Sequence, residues 1–239
     1  MDSYLAEFFS SYWLQTIIAV VAAYLIGSVN TSIIVTGIVM HKDIRTMGSG
    51  NAGFTNVLRC VGKIPAICTF VGDFLKGVIS ILIAYLLMLG ATGDNADVFT
   101  SYIIYIAGLF AVVGHMFPCY YGFKGGKGVV TAASVLLMTD WRILLVALIV
   151  FVIMFLATKT ISKCALANAV MLPISTLVFR LLDYYGIVTL PSFQTHTPLS
   201  LVILTTAIMF IIAVLVIIRH KDNIKRILNG TEKKITSKK

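Results

Sequence analysis

Charge is what this sequence has least of. Asp, Glu, Lys and Arg make up 12% of its 239 residues, against roughly a quarter in a soluble domain. With 59% of the residues apolar and a mean hydropathy of +0.96, too little polar surface remains to coat a globule. Cysteine is sparse as well. Cys60, Cys68, Cys119 and Cys164 are scattered with no C-x-x-C and no paired spacing, which argues against a disulfide framework or a metal-ligand set. Small packing residues are their ordinary role. Lys and Arg are missing from the first 40 residues. The apolar stretch there, Trp13–Met40, is too long for the h-region of a signal peptide, so it reads as a retained first span.

What the chain has instead is long apolar blocks. Seven are expected to cross the membrane: Trp13–Met40, Ile64–Leu89, Tyr102–Phe117, Val129–Met138, Ile143–Ala157, Leu166–Leu182 and Leu199–Ile218. A spanning helix needs about 20 residues, so the fourth is weak alone and must borrow from the glycine-rich loop before it. The expected fold class is all-α, a polytopic membrane helical bundle filling residues 1–239 as one domain. No internal repeat interrupts it.

The basic residues settle the direction. Sixteen of the 19 Lys and Arg fall in four segments, 41–63, 118–128, 158–165 and 219–239. By the positive-inside rule these are cytoplasmic, which puts the N-terminus outside and the C-terminus inside. Loops 118–128 and 158–165 then share a side, so a turn at Thr139–Arg142 must separate two short helices. Cations confined to short loops suit anionic headgroups or phosphate substrates better than nucleic acid.

Two of these loops carry chemistry. The first runs from Lys42 to Arg59 and interleaves Gly48, Gly50 and Gly53 with Ser49, Asn51, Thr55, Asn56, Arg45 and Arg59. Glycines allow left-handed backbone, and successive amides there form an anion-binding nest. Gly48-x-Gly50-x-x-Gly53 also spells the dinucleotide fingerprint. It lacks the strand–helix context that gives that motif meaning. The second loop, Gly122-Phe123-Lys124-Gly125-Gly126-Lys127-Gly128, is not a P-loop. Its glycines and two lysines before a helix still suit a phosphate. Asp73 and Lys76 stand at i, i+3 in the second span, a spacing that permits a buried ion pair. His115, alone in an apolar run, reads as a satisfied structural group rather than a catalyst.

Four segments together resemble a known family. They are Gly48-Ser-Gly-Asn-Ala-Gly-Phe-Thr-Asn56, Val71-Gly-Asp-Phe-Leu-Lys-Gly77, His115-x-Phe-Pro with Phe123-Lys-Gly-Gly-Lys-Gly-Val-Val-Thr131, and Arg219-His-x-x-Asn-Ile-Lys-Arg226 with Gly230-x-Glu232. In this order they look like the signatures of the PlsY family, the bacterial acyl-phosphate:glycerol-3-phosphate acyltransferases. Where that family commonly has Ser-x-Pro-Thr-Gly, this chain has Ser28-Val29-Asn30-Thr31-Ser32.

The resemblance implies seven membrane helices in a bacterial inner membrane, with the active site on the cytoplasmic side. It implies transfer of a fatty acyl group from acyl phosphate to the 1-hydroxyl of glycerol 3-phosphate, giving lysophosphatidic acid for phospholipid synthesis. The partners would be those two substrates and membrane lipid, with no nucleic acid and no cofactor. Acyl phosphate is already activated, so direct transfer without an acyl-enzyme is expected. The His-x4-Asp of other acyltransferases is absent, because Thr46, Tyr120, Leu201 and Lys225 follow His41, His115, His196 and His220 at that distance. Binding is expected from Asn51, Thr55, Asn56, Arg59, Lys124, Gly125, Gly126, Lys127 and Ser162. The chemistry would fall to His220, Glu232, Asn223 and Ser49, with the base left open between His220, Glu232 and the substrate phosphate. The rival readings are a transporter of an organic phosphate and a membrane anchor or assembly protein.

Overall fold

The structure, a computed structural model, describes residues 3–187 and 197–234, and among these it is entirely helical. His196 lies outside the described residues. The chain forms two compact units, Ser3–Thr139 and Asp140–Lys239.

The first unit contains α1 (Ser3–Ser28), α2 (Thr31–Met40), α3 (Phe54–Cys60), α4 (Lys63–Leu86), α5 (Ala96–Met116) and α6 (Val129–Thr139), with short 3-10 turns at Ile44–Thr46 and Cys119–Tyr121. Expected as one helix, Trp13–Met40 is two. The chain breaks at Val29 and restarts at Asn30, whose side chain accepts from Ile33 N at 3.2 Å and caps α2. An amide cap satisfies one of the orphan donors at a helix start, and Asn30 supplies it inside an apolar run.

Helices α1 and α5 meet closely because two glycines let their backbones touch. A methyl added at Gly27 would lie 2.3 Å from Ala111 O, and one at Gly114 would lie 2.4 Å from Tyr24 O. Tyr24 Oη then donates to Phe117 O at 2.9 Å. Small residues at such crossings are how membrane helices gain packing without a hydrophobic driving force.

Helix α4 is inside out relative to a soluble helix. Its buried stripe is Ala66, Thr69, Asp73, Lys76, Gly77, Ser80, Ile81 and Ala84. Its exposed positions include Ile64, Ile67, Phe70, Leu75, Ile79 and Leu82, with Ile64 76% exposed. A helix that turns polar and small residues inward and large apolar ones outward is built for lipid.

The second unit contains α7 (Trp141–Thr158), α8 (Ile161–Tyr184), α9 (Leu199–Arg219) and α10 (Lys221–Leu228). The break expected near Thr139–Arg142 falls at Asp140, which accepts from Arg142 N at 3.1 Å and caps α7. The Arg142 guanidinium grips Asp140 through Nε and Nη2, at 2.9 and 2.7 Å, and Asp183 through Nη1 and Nη2, both at 2.7 Å. Arg180 adds longer contacts to the same two carboxylates. Two arginines and two aspartates thus neutralise one another and tie the start of α7 to the end of α8.

Among the described residues six apolar runs are long enough to cross a membrane: Tyr4–Met40, Lys63–Leu86, Ala96–Tyr121, Trp141–Thr158, Ile161–Tyr184 and Leu199–Arg219. Helix α6 has 11 residues, about 16 Å at 1.5 Å per residue, half of a hydrocarbon core of roughly 30 Å.

The α1–α5 crossing makes a test. Gly114→Ala should lower the thermal midpoint of the detergent-solubilised protein, as overpacking against fixed backbone costs about 1–3 kcal/mol. Gly37→Ala, where an added methyl meets nothing within 4 Å, should hold or raise it, since Ala is the better helix former. Equal midpoints in both variants would contradict the close crossing.

Candidate active site

In the first unit the two glycine-rich loops are held against each other. Asp43 starts the first by accepting from Arg45 N at 2.8 Å and pairing with the Arg45 guanidinium at 2.7 Å. That hydrogen bond holds the Asp43 carboxyl below its ordinary range against the opposing effect of burial. The remaining Arg45 nitrogen, Nη1, reaches the second loop and donates to Tyr121 O at 2.7 Å and Lys124 O at 3.2 Å. Arg45 had been expected only as local charge. Its role as a bridge depends on partners 76 and 79 residues away, which no local pattern announces.

Asn56 has a different use from the one expected. It is buried, accepts from Ser49 N at 2.9 Å, and donates to Met47 O at 2.9 Å and Ile44 O at 3.2 Å. Both ends of its amide shape the loop instead of facing a ligand. Gly48, at φ +57°, lies so close that an added methyl would meet Asn56 Oδ1 at 2.4 Å. Ser49 stands exposed at the loop tip, Asn51 and Thr55 are half-buried, and Arg59 is exposed on α3. Those four are placed to meet a solute.

The second loop folds back onto the end of α5. Gly125 N donates to Met116 O at 3.2 Å and Gly126 N to His115 O at 3.1 Å. The amides of Gly125 and Gly126, expected to cradle phosphate, are engaged within the protein. Their lack of side chains serves packing. A methyl at Gly125 would lie 2.1 Å from His115 O, and one at Gly126 would lie 2.5 Å from Ala52 O of the first loop. Lys124 is exposed and Lys127 half-buried just before α6, so the loop offers two cations beside a helix start.

In the second unit a carboxylate gathers the other expected residues. Glu232 Oε1 accepts from Ser162 Oγ at 2.5 Å and Asn223 Nδ2 at 2.7 Å, and Oε2 accepts from Arg226 Nε at 2.6 Å. Ser162 opens α8 and Asn223 lies on α10, so the carboxylate clamps the segment after α10 to both helices. Arg226, which the sequence offered only as part of its last motif, pairs with Glu232. Burial alone would raise the Glu232 pKa, but the bonds from Ser162, Arg226 and Asn223 outweigh it and hold the group below its ordinary value. A carboxylate so engaged is a poor proton acceptor at neutral pH.

His220 is buried at the junction of α9 and α10, and its Nδ1 lies 2.8 Å from Val216 O. A carbonyl only accepts, so the ring proton sits on Nδ1 and Nε2 is the basic nitrogen.

Helices with outward apolar surfaces and a pair of cationic glycine-rich loops define a helical membrane protein whose loops are suited to an anion. Comparison with known proteins narrows the class. Residues 17–230 match the glycerol-3-phosphate acyltransferase family, and the chain belongs to it. It is 36% identical over 216 residues to the glycerol-3-phosphate acyltransferase of Francisella tularensis subsp. holarctica, covering 90% of this chain and 91% of that one. It is 35% identical over 218 residues to the Francisella philomiragia protein, covering 91% and 92%. Among solved structures it resembles PlsY (YgiH), an integral membrane glycerol 3-phosphate acyltransferase. The TM-score is 0.69 and the identity 32% for the glycerol 3-phosphate form, over 93% of this chain and 96% of that one. For the lysophosphatidic acid form they are 0.67 and 31%, with the same coverage.

The Glu232 clamp has a pH signature. A depressed carboxylate stabilises the fold fully above its unfolded value, near 4.5, and loses that contribution as pH falls through the lower folded value. Acid should therefore release the 221–234 segment to limited proteolysis below about pH 4.5, whereas Glu232→Gln should be cleaved readily at neutral pH too. An unchanged cleavage rate in Glu232→Gln would remove the clamp from the account.

Proposed function

We propose that this protein transfers a fatty acyl group from acyl phosphate directly to the 1-hydroxyl of glycerol 3-phosphate, forming lysophosphatidic acid for phospholipid synthesis. The observation that carries the reading is the pair of cationic glycine loops locked together by Arg45, in a chain of this family. Both substrates carry phosphate, and Ser49, Asn51, Thr55, Arg59, Lys124 and Lys127 supply hydroxyl, amide and cationic donors for them. Phosphate is a good leaving group, so positioning and charge stabilisation carry the rate. His220 takes the hydroxyl proton, because its Nδ1–H is committed to Val216 O and Glu232 is held by three donors. Asn223, Ser162 and Arg226 serve that carboxylate. The protein works as one acyltransferase domain in a bacterial inner membrane, with seven crossings counting α6, its N-terminus outside and its loops in the cytoplasm.

Purified protein given acyl phosphate and glycerol 3-phosphate should make lysophosphatidic acid. Uptake of glycerol 3-phosphate into vesicles without product would favour a transporter instead. His220→Ala should lower kcat by about 10²–10⁴-fold, the usual range for a lost general base. Lys127→Ala should raise KM roughly tenfold or more, with Lys127→Arg between it and the wild type, if a charge-assisted contact of about 1.5–3 kcal/mol is lost. Mass spectrometry after incubation with labelled acyl phosphate alone should find no acyl group on Ser49. A chemically competent acyl-Ser49 would sink direct transfer.

A further inference from the structure

Lys76 has no place in the chemistry above, yet it is one of the most deeply buried cations in the chain, 4% exposed. Its Nζ lies 2.9 Å from Asp73 Oδ1, 3.0 Å from Val29 O at the α1–α2 break, and 2.7 Å from His115 Nδ1. An ammonium has three protons and no lone pair; this one donates to Val29 O, is paired ionically with Asp73, whose Oδ1 also lies 3.6 Å from His115 Nδ1, and has His115 Nδ1 as its shortest contact. His115 Nδ1 therefore accepts, and the imidazole carries its proton on Nε2. That nitrogen lies at the meeting of the two loops. A methyl added at Gly126 would sit 2.1 Å from His115 Nε2 and 2.5 Å from Ala52 O. The carbonyls of His115 and Met116 meanwhile accept the amides of Gly126 and Gly125. Both backbone hydrogen bonds from Gly125 and Gly126 to the end of α5 thus end on His115 or its neighbour, and that ring is contacted from α4 by Lys76.

We infer that Lys76, aligned by Asp73, is a positioning residue: it fixes His115 as the Nε2–H tautomer beneath the junction of the two glycine-rich loops and so keeps both in phosphate-binding geometry. The inference rests on the reading that these loops hold the phosphate of glycerol 3-phosphate. Lys76 touches no substrate and acts through His115. A pair serving stability alone would need only Asp73 and Lys76, and its removal as a unit would leave the loops unaffected. The third contact, to a histidine 39 residues away, ties the pair to phosphate binding.

Lys76→Met alone leaves Asp73 buried without its cation and risks unfolding. The variant to use is Asp73→Leu with Lys76→Met, because a buried ion pair replaced whole by apolar side chains is often tolerated. Each protein is purified in detergent, and its thermal midpoint is read with and without glycerol 3-phosphate, alongside KM and kcat. A ligand that binds the folded state raises the midpoint. The double variant should stay folded with an unliganded midpoint lowered by the unpaired Val29 carbonyl, lose most of the rise, and show KM increased roughly tenfold or more, with kcat within about threefold of wild type. His115→Gln, which keeps an N–H near the reach of Nε2, should retain more of the rise and of the low KM than His115→Leu. A folded double variant with wild-type KM and a wild-type midpoint rise overturns the inference, as does equal loss in His115→Gln and His115→Leu. A wild-type protein whose midpoint glycerol 3-phosphate does not move overturns it too. A wild type that shows the rise without acyl transfer refutes the reaction alone, and the variants' midpoints still decide the positioning role.

Discussion

Hydrocarbon offers no water to a broken helix, so every backbone carbonyl freed by a break must find a donor within the protein. The interruption at Val29 and Asn30 frees such a carbonyl, and the Lys76 ammonium answers it. An ammonium cannot stay in that setting without a counter-charge, which Asp73 supplies one turn away on the same helix. The pair then needs a third acceptor, and His115 provides it. The polar stripe of α4, the position of α5 and the seat of the second glycine loop follow from this one sequence of requirements. The Arg142 cluster of the second unit meets the need for counter-charge with two cations and two anions.

Much of this was legible in the chain. Apolar length marked the helices and glycine-rich basic stretches marked the loops between them, because both signals are local and survive without tertiary context. The Asp73–Lys76 spacing announced its ion pair for the same reason. What could not be read were partners far apart in sequence. Val29 and His115 lie 47 and 39 residues from Lys76, and Arg45 meets carbonyls 76 and 79 residues on. Asn56 looked like a ligand contact because a polar amide in a glycine loop has two uses, and only coordinates reveal which carbonyls it satisfies. Arg226 resembled its neighbour Lys225 until Glu232 was placed beside it.

The two loops also separate two meanings of glycine. Gly48 adopts a positive φ that a side chain resists, and it closes the turn that Asn56 pins. Gly125 and Gly126 are wanted for their thinness, since the chain passes within touching distance of His115 and Ala52. A motif search treats these positions alike. Their demands differ: the first concerns backbone torsion, the other two concern space, and only the second kind transmits a shift in α5 to the loop.

The inversion of α4 bears on how such a protein drifts under mutation. Its outward Ile64, Ile67, Leu75, Ile79 and Leu82 face a fluid that accepts any large aliphatic shape, so exchanges among Ile, Leu, Val and Phe there are close to neutral. Its inward Ala66, Gly77, Ser80 and Ala84 are small and buried, and a side chain at Gly77 would run into Ser134 Oγ. In water-soluble proteins the hydrophobic interior is the slow-changing part and the polar exterior the permissive one. Along this helix the chemistry of those two compartments is exchanged, and a substitution table calibrated on soluble cores would rank its tolerant and intolerant positions in the wrong order.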